Sequence, residues 1–293
     1  MTKRKISWSM FSFVMVFFLM AFDSPNQDPP QNENEFQTIS NQTSTEPCFM
    51  ENKTFQVGEE ITYKLYYNWN FVWLAAGEVV FKVGESDGQY HITATGRTYK
   101  TYEWFFKVRD YYHSYIDKET LLPQTSIRDV HEGGYKLYDK VAFDQENNIA
   151  VSERGKTKYE TETKQYNLDG CMHDVHSIVY YTRNLDFDRY DEGQEFPVKI
   201  FMDKEVWPLK VKYKGKEESK KVKGKGKFRA IKFSPEVIAG EVFKKDTEMN
   251  IWVSDDGNRI PLLIESPVSV GSVKAVLKDY KGLKYELSSK IKK

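Results

Sequence analysis

From residue 55 onward the chain alternates apolar and polar residues at a period of two, and this constrains the fold more than any other feature. In the run 59–67, Ile61, Tyr63, Leu65 and Tyr67 share one face of an extended strand, because successive strand side chains point to opposite sides. The pattern returns at 78–83, 90–95, 108–116, 135–143, 196–202, 209–213, 225–233, 249–253, 260–264, 270–277 and 283–287. Turn-forming clusters separate many of these runs: Ser86-Asp87-Gly88, Gly133-Gly134, 145–148 and Asp255-Asp256-Gly257-Asn258. Short strands at regular spacing predict a mainly β fold, a large curved antiparallel sheet forming a half-barrel, barrel or sandwich. Aromatic residues make up 15% of the chain. Bulky rings favour strands and bury large areas, which supports the same reading.

One stretch breaks the period. Within 174–183, Val175, Ile178, Val179 and Thr182 fall at helical spacing, with Asp174 placed to cap. A helix of about three turns lying across the sheet is predicted. A second short turn of helix is expected at Trp104-Phe105-Phe106. The folded part, 48–293, would divide into two halves near 170–190.

The N-terminal residues read as an address. Thr2-Lys3-Arg4-Lys5 precedes an uncharged apolar run, 6–22, so 1–22 is a signal peptide or an N-terminal anchor. Met20-Ala21-Phe22-Asp23 is a poor cleavage site, and no cysteine follows directly to accept a lipid. Residues 23–47 are rich in Asn, Gln, Ser, Thr and Pro and too poor in apolar groups to offset the entropy of ordering, which predicts a disordered polar tether. The expected location is the periplasm or cell envelope. Cys48 and Cys171 are the only cysteines, and an even count in an exported chain favours a disulfide. Free thiols compete with that reading, as does a metal site at Cys171, His173, Asp174 and His176. The Cys-x-His-x-x-His spacing matches no established zinc pattern and, apart from the Asp174 carboxylate, offers no obvious fourth ligand.

Enzyme signatures are absent or out of context: Gly84-Glu85-Ser86-Asp87-Gly88 has the letters of Gly-x-Ser-x-Gly but reads as a turn between two strand runs, not as a nucleophile elbow, and there is no His-Glu-x-x-His, no phosphate-binding loop and no dinucleotide fingerprint. No catalytic residue, metal or cofactor is assigned. A carboxylate-dependent hydrolase using Asp110, Asp129, Glu132 or Asp255 is the third-ranked function, since any of these also reads as an ordinary turn or surface group. Two surface features point elsewhere. The turn after the first strand carries Trp69, Phe71, Val72, Trp73 and Leu74 where polar residues are usual. With Trp104 and Phe105 they are candidates for the walls of an apolar ligand pocket, against the alternative of ordinary core. Lysines alternate at 210, 212, 214 and 216, and again at 221, 223, 225 and 227, so each set shares one strand face. If the two strands pair, like charges oppose each other. Lys212, Lys214, Lys223, Lys225 and Lys227 are candidate contacts for an anionic partner, against the alternative of a solvated, edge-protecting hairpin.

Phe55-Gln56-Val57-Gly58-Glu59-Glu60-Ile61-Thr62-Tyr63 with Ala76-Gly77-Glu78 resembles the opening of the exported bacterial proteins catalogued as domain of unknown function 3108. Residues 174–183 are similar to that family's central helix. Trp252-Val253-Ser254-Asp255-Asp256, Arg259-Ile260-Pro261 and 271–277 are similar to its closing strands. The tether and the lysine-rich hairpin are not matched to it. The resemblance implies export and a β fold, and brings no activity or catalytic residues. The expected function is a non-catalytic envelope protein binding an apolar or amphipathic ligand, in lipid or lipoprotein handling. A glycan-binding or scaffolding module facing envelope polysaccharide is the rival. Nucleic acid is a poor partner for an exported chain, and membrane association is expected only through an uncleaved N-terminal segment.

Overall fold

The computed structural model describes residues 48–69, 72–104, 106–237, 247–268 and 271–292; the N-terminal segment 1–22 and the tether 23–47 lie outside them. Among the described residues the alternating runs form fourteen strands. The first eight are β1 (Glu60–Trp69), β2 (Val72–Ser86), β3 (Gln89–Thr98), β4 (Arg109–Ile116), β5 (Pro123–Glu132), β6 (Tyr135–Asp144), β7 (Ile149–Thr157) and β8 (Glu160–Asn167). The remaining six are β9 (Glu195–Met202), β10 (Glu205–Val222), β11 (Gly226–Pro235), β12 (Asn250–Ser254), β13 (Pro261–Pro267) and β14 (Ser272–Lys281). All belong to one antiparallel sheet that runs from β8 back to β1, then from β14 back to β9. The chain therefore enters at the middle of the sheet, builds one half outward to β8, crosses to the opposite edge and returns until β14 pairs with β1.

The two edge strands meet through side chains rather than a ladder. The Tyr166 ring on β8 and the Phe201 ring on β9 have centroids 5.4 Å apart. The β9–β10 hairpin turns on Asp203 and Lys204, both at positive φ (52° and 73°), as a two-residue turn matched to strand twist requires. Asp203 thereby reaches the first half of the sheet, where Oδ1 accepts hydrogen bonds from Arg128 at 2.7 Å and Arg154 at 2.9 Å. Both guanidiniums also bond Asp139 Oδ2, at 2.6 and 2.8 Å. Arg128, Asp139 and Arg154 are buried and Asp203 nearly so, and opposite charges alternate, so each offsets its neighbours.

Two α-helices occur among the described residues: α1 (Lys100–Glu103) and α2 (Ser177–Arg183). The second is shorter than its spacing predicts. Asp174 Oδ1 accepts the N–H groups of His176 and Ser177, at 2.6 and 2.9 Å, so the helix begins only after this capping turn. The turn expected at Trp104 begins earlier, at Lys100. The strand expected at 283–287 is irregular instead. Its backbone bonds the Asn258 side chain, with Tyr285 N–H donating to Oδ1 and Nδ2 donating to Tyr285 O, which leaves it no ladder.

Helix α2 lies within the curve of the sheet. On one side Tyr180 meets Phe55, with centroids 4.9 Å apart, in a cluster with Val83, Ile92, Ile116 and Leu121. Cys48 and Cys171 form a disulfide with Cα atoms 5.8 Å apart, joining the start of the described chain to the β8–α2 connection. That pairing replaces the free-thiol and metal readings of Cys171.

Candidate functional site

The helical face read from the sequence packs on core at Ile178 and Val179 but leaves a gap to part of the sheet. Val175, Ile178, Val179 and Thr182 line a cavity of about 190 Å³ whose far wall is built by β9 to β13. Phe196 and Val198 come from β9, Leu209 and Val211 from β10, Phe233 from β11, Ile251 and Val253 from β12. Phe187 follows α2, and its ring lies 4.4 Å from that of Phe233. The polar atoms on the wall are engaged within the protein. Thr182 Oγ1 donates to Val179 O at 3.0 Å, and Glu236 Oε2 accepts the Lys210 N–H at 3.2 Å. Among the described residues the lining holds no His, Lys, Cys or Ser. Such a wall can take up apolar matter.

Arg183 fixes the depth of α2. Its side chain is 3% exposed and its partner Glu59 is 0% exposed. Nη1 and Nη2 bond the two Glu59 oxygens at 2.7 and 2.8 Å. Nε and Nη2 also donate to Asn258 O, and Nη2 to Thr54 O. Burial disfavours the guanidinium charge, but Glu59 more than offsets this and raises its pKa. One side chain thus ties the helix to the residue before β1 and to the β12–β13 turn.

A second group of ionisable residues faces inward from the first half of the sheet. Asp110 on β4 and Glu132 on β5 are both buried. Burial pushes the Asp110 carboxyl up to about 7, against the pull of the His131 N–H that it accepts at 2.9 Å. Burial first, then the Asp110 charge, raises Glu132 well above the usual carboxylate range. A carboxyl with a raised folded pKa prefers to stay neutral, so stability falls as pH rises from about 4 to about 7 and stays lower above that. Asp110→Asn should therefore be more stable than the parent at pH 8, by up to roughly 4 kcal/mol, with no gain at pH 4. Urea midpoints of both proteins at the two pH values test this; an equal shift at both would refute it. The parent comparison at each pH is needed because burial also lowers His173 and His176 to about 3. Their unprotonated state contributes a loss of stability of the opposite sense, setting in as pH falls below 6.5.

Of the aromatic residues proposed from sequence as a pocket wall, only Trp73 and Trp104 have described side chains. Phe71, Phe105 and the side chain of Trp69 fall outside the described residues. Trp73 is partly exposed, with Lys274 Nζ 4.3 Å above its ring, and Trp104 is 83% exposed. Neither lines the cavity. The carboxylates considered for hydrolysis do not line it either: Asp129 bonds His131 Nε2 at 2.8 Å, and Asp255 lies 3.5 Å from Lys216. The two lysine sets differ. Lys212 and Lys214 have carboxylates nearby, Glu195 at 3.7 Å and Glu248 at 2.8 Å. Lys223 sits 4.8 Å above the Tyr66 ring, Lys225 is 3.8 Å from Asp279, and Lys227 faces Lys221 across the β10–β11 ladder. Opposed like charges are thus present, as the alternation implied. Sequence reasoning missed the cavity's strand wall, because Phe196, Val211, Phe233 and Val253 carry the same period-two signal as ordinary core.

Comparison with known proteins adds a family and a fold. The model described as "Protein of unknown function (DUF3108)" matches residues 62–278. No curated protein matches. Among solved structures, the chain is similar to the crystal structure of a β-barrel-like protein of domain of unknown function DUF1849 from Brucella abortus. The TM-score is 0.53 at 11% identity, covering 78% of this chain and 98% of that one.

Proposed function

The chain belongs to the family described as protein of unknown function DUF3108, and from that premise we propose that it is a non-catalytic envelope protein that holds an apolar chain in the α2–sheet cavity. The observation that carries this reading is a wall of aliphatic and aromatic side chains around about 190 Å³. An apolar cavity of about 150 Å³ already admits benzene, whereas a site for a whole drug-sized molecule is roughly 300 Å³ or more. The ligand is accordingly one segment of an acyl chain, with the rest of the lipid or lipoprotein outside. Each buried methylene contributes about 0.8 kcal/mol, so a few suffice for measurable affinity. Export is supported by the disulfide and by the basic-then-apolar N-terminus, both compatible with an oxidising compartment.

Purified protein should yield a lipid or fatty acid on extraction with organic solvent, identified by mass spectrometry. After delipidation it should bind a fluorescent fatty-acid analogue saturably. Ile178→Trp fills the cavity from the helix side and should weaken that binding at least about tenfold while leaving stability equal or higher. A protein that yields no lipid and shows no saturable binding would remove the basis for the carrier reading.

A further inference from the structure

We propose that the distal β10–β11 hairpin and the C-terminal tail form one basic face that docks on an anionic lipid bilayer. The hairpin turns at 223–225 and places Lys221, Lys223, Lys225 and Lys227 within seven residues. The tail runs beside it: Arg229 N–H donates to Ser289 O and Ile291 N–H to Lys227 O, both at 2.9 Å. This brings Lys290 and Lys292 to the same end.

The charge there is uncompensated in a way the neighbouring charge is not. Lys210, Lys212, Lys214 and Lys216 each have a carboxylate within 4 Å. Among the described residues, Lys221, Lys223 and Lys227 have none, and Lys225 has only Asp279, whose side chain is 77% exposed. Lys221 and Lys227 are directly opposed, an arrangement that destabilises a ladder. Edge protection accounts for Lys221, which lies on the part of β10 beyond its pairing with β9. It does not account for Lys223 and Lys225 in the turn, or for Lys227, whose strand is already covered by the tail.

A bilayer suits this face better than a soluble anion because apolar groups are interleaved with the charges. The Lys223 ammonium lies over the Tyr66 ring, Lys225 Nζ is 5.9 Å above Tyr280, and Ile291 is exposed between Lys290 and Lys292. Clustered lysines with ring and aliphatic neighbours match headgroup phosphates above an apolar boundary.

The test is partitioning of the full chain onto phosphatidylcholine vesicles with and without about 30% phosphatidylglycerol, so that binding through the N-terminal apolar run is common to both. The parent should prefer the anionic vesicles, and the preference should shrink as salt is raised. Changing Lys223, Lys225 and Lys227 together to Gln should reduce the preference about 100-fold, and to Glu further still. Changing Lys210 and Lys214 to Gln should alter it less than about twofold, because those charges are already neutralised. No preference in the parent, or an equal preference in the Gln triple variant, would overturn the proposal. So would competition by millimolar inorganic phosphate, which would indicate a discrete anion site. Capture by dextran sulfate without vesicle binding would overturn it in favour of an acidic polysaccharide.

Discussion

Replacing Arg183 with Met should destabilise the protein by roughly 3 to 5 kcal/mol, because the Glu59 carboxylate would be left buried without its partner. That is a large part of the roughly 5 to 15 kcal/mol by which a folded domain is stable. The loss does not measure the net value of the ion pair. Replacing both members, Glu59→Leu with Arg183→Met, should recover most of it, since burying neither charge avoids both desolvation penalties. Recovery should stop short by about 1 kcal/mol for each backbone acceptor, because Asn258 O and Thr54 O would still have lost their donor. Denaturant midpoints of the parent, both single variants and the double variant give the coupling energy directly. If Arg183→Met alone costs less than about 1 kcal/mol, water reaches the site and the strut is not what holds α2 in place. The consequence extends to the cavity, since the strut lies on the same helix as Ile178, Val179 and Thr182. The single variant should also weaken binding of an acyl probe, since Arg183 itself borders the cavity.

The second large effect concerns the disulfide. Cys48 and Cys171 are 123 residues apart, and closing a loop of that size removes entropy from the unfolded chain worth roughly 4 to 5 kcal/mol. The variant with both cysteines changed to Ser should show a loss of that order in chemical denaturation, and the oxidised parent treated with reductant should match it. An unchanged midpoint would mean that the β8–α2 connection is held by its other contacts, among them Met172 N–H to Gln145 Oε1 at 3.2 Å, Gly170 N–H to Asn148 Oδ1 at 3.1 Å and His173 N–H to Lys199 O at 3.0 Å. The bond also holds residue 48 against the connection that carries α2.

The sequence and the fold agree where the inward positions are apolar and diverge where they are not. In β1 the inward set is Ile61, Tyr63, Leu65 and Tyr67, and its alternation is plain. In β5 and β7 the corresponding set includes Ser126, Arg128, Glu132, Ser152 and Arg154, all buried. Hydrophobic periodicity is silent there, and neither strand was predicted. Strand β8, Glu-Thr-Glu-Thr-Lys-Gln-Tyr-Asn, is mostly exposed at the sheet edge and gives no signal either. What makes a buried Arg128 tolerable is Asp203, 75 residues away on a hairpin turn. No local window contains both.

By itself the sequence determined the sheet, its antiparallel character, the helix that interrupts it and the two cysteines able to bridge, because period, capping and residue count are local properties. Only the tertiary structure decided that the sheet's edges meet over a buried four-charge cluster, and that Val175, Ile178, Val179 and Thr182 border a cavity. A helical apolar stripe looks the same whether it touches its neighbour or stands away from it. The separation is set by distant partners, Arg183 with Glu59 on one side and Tyr180 with Phe55 on the other, and distance between elements is written in no single stretch of chain.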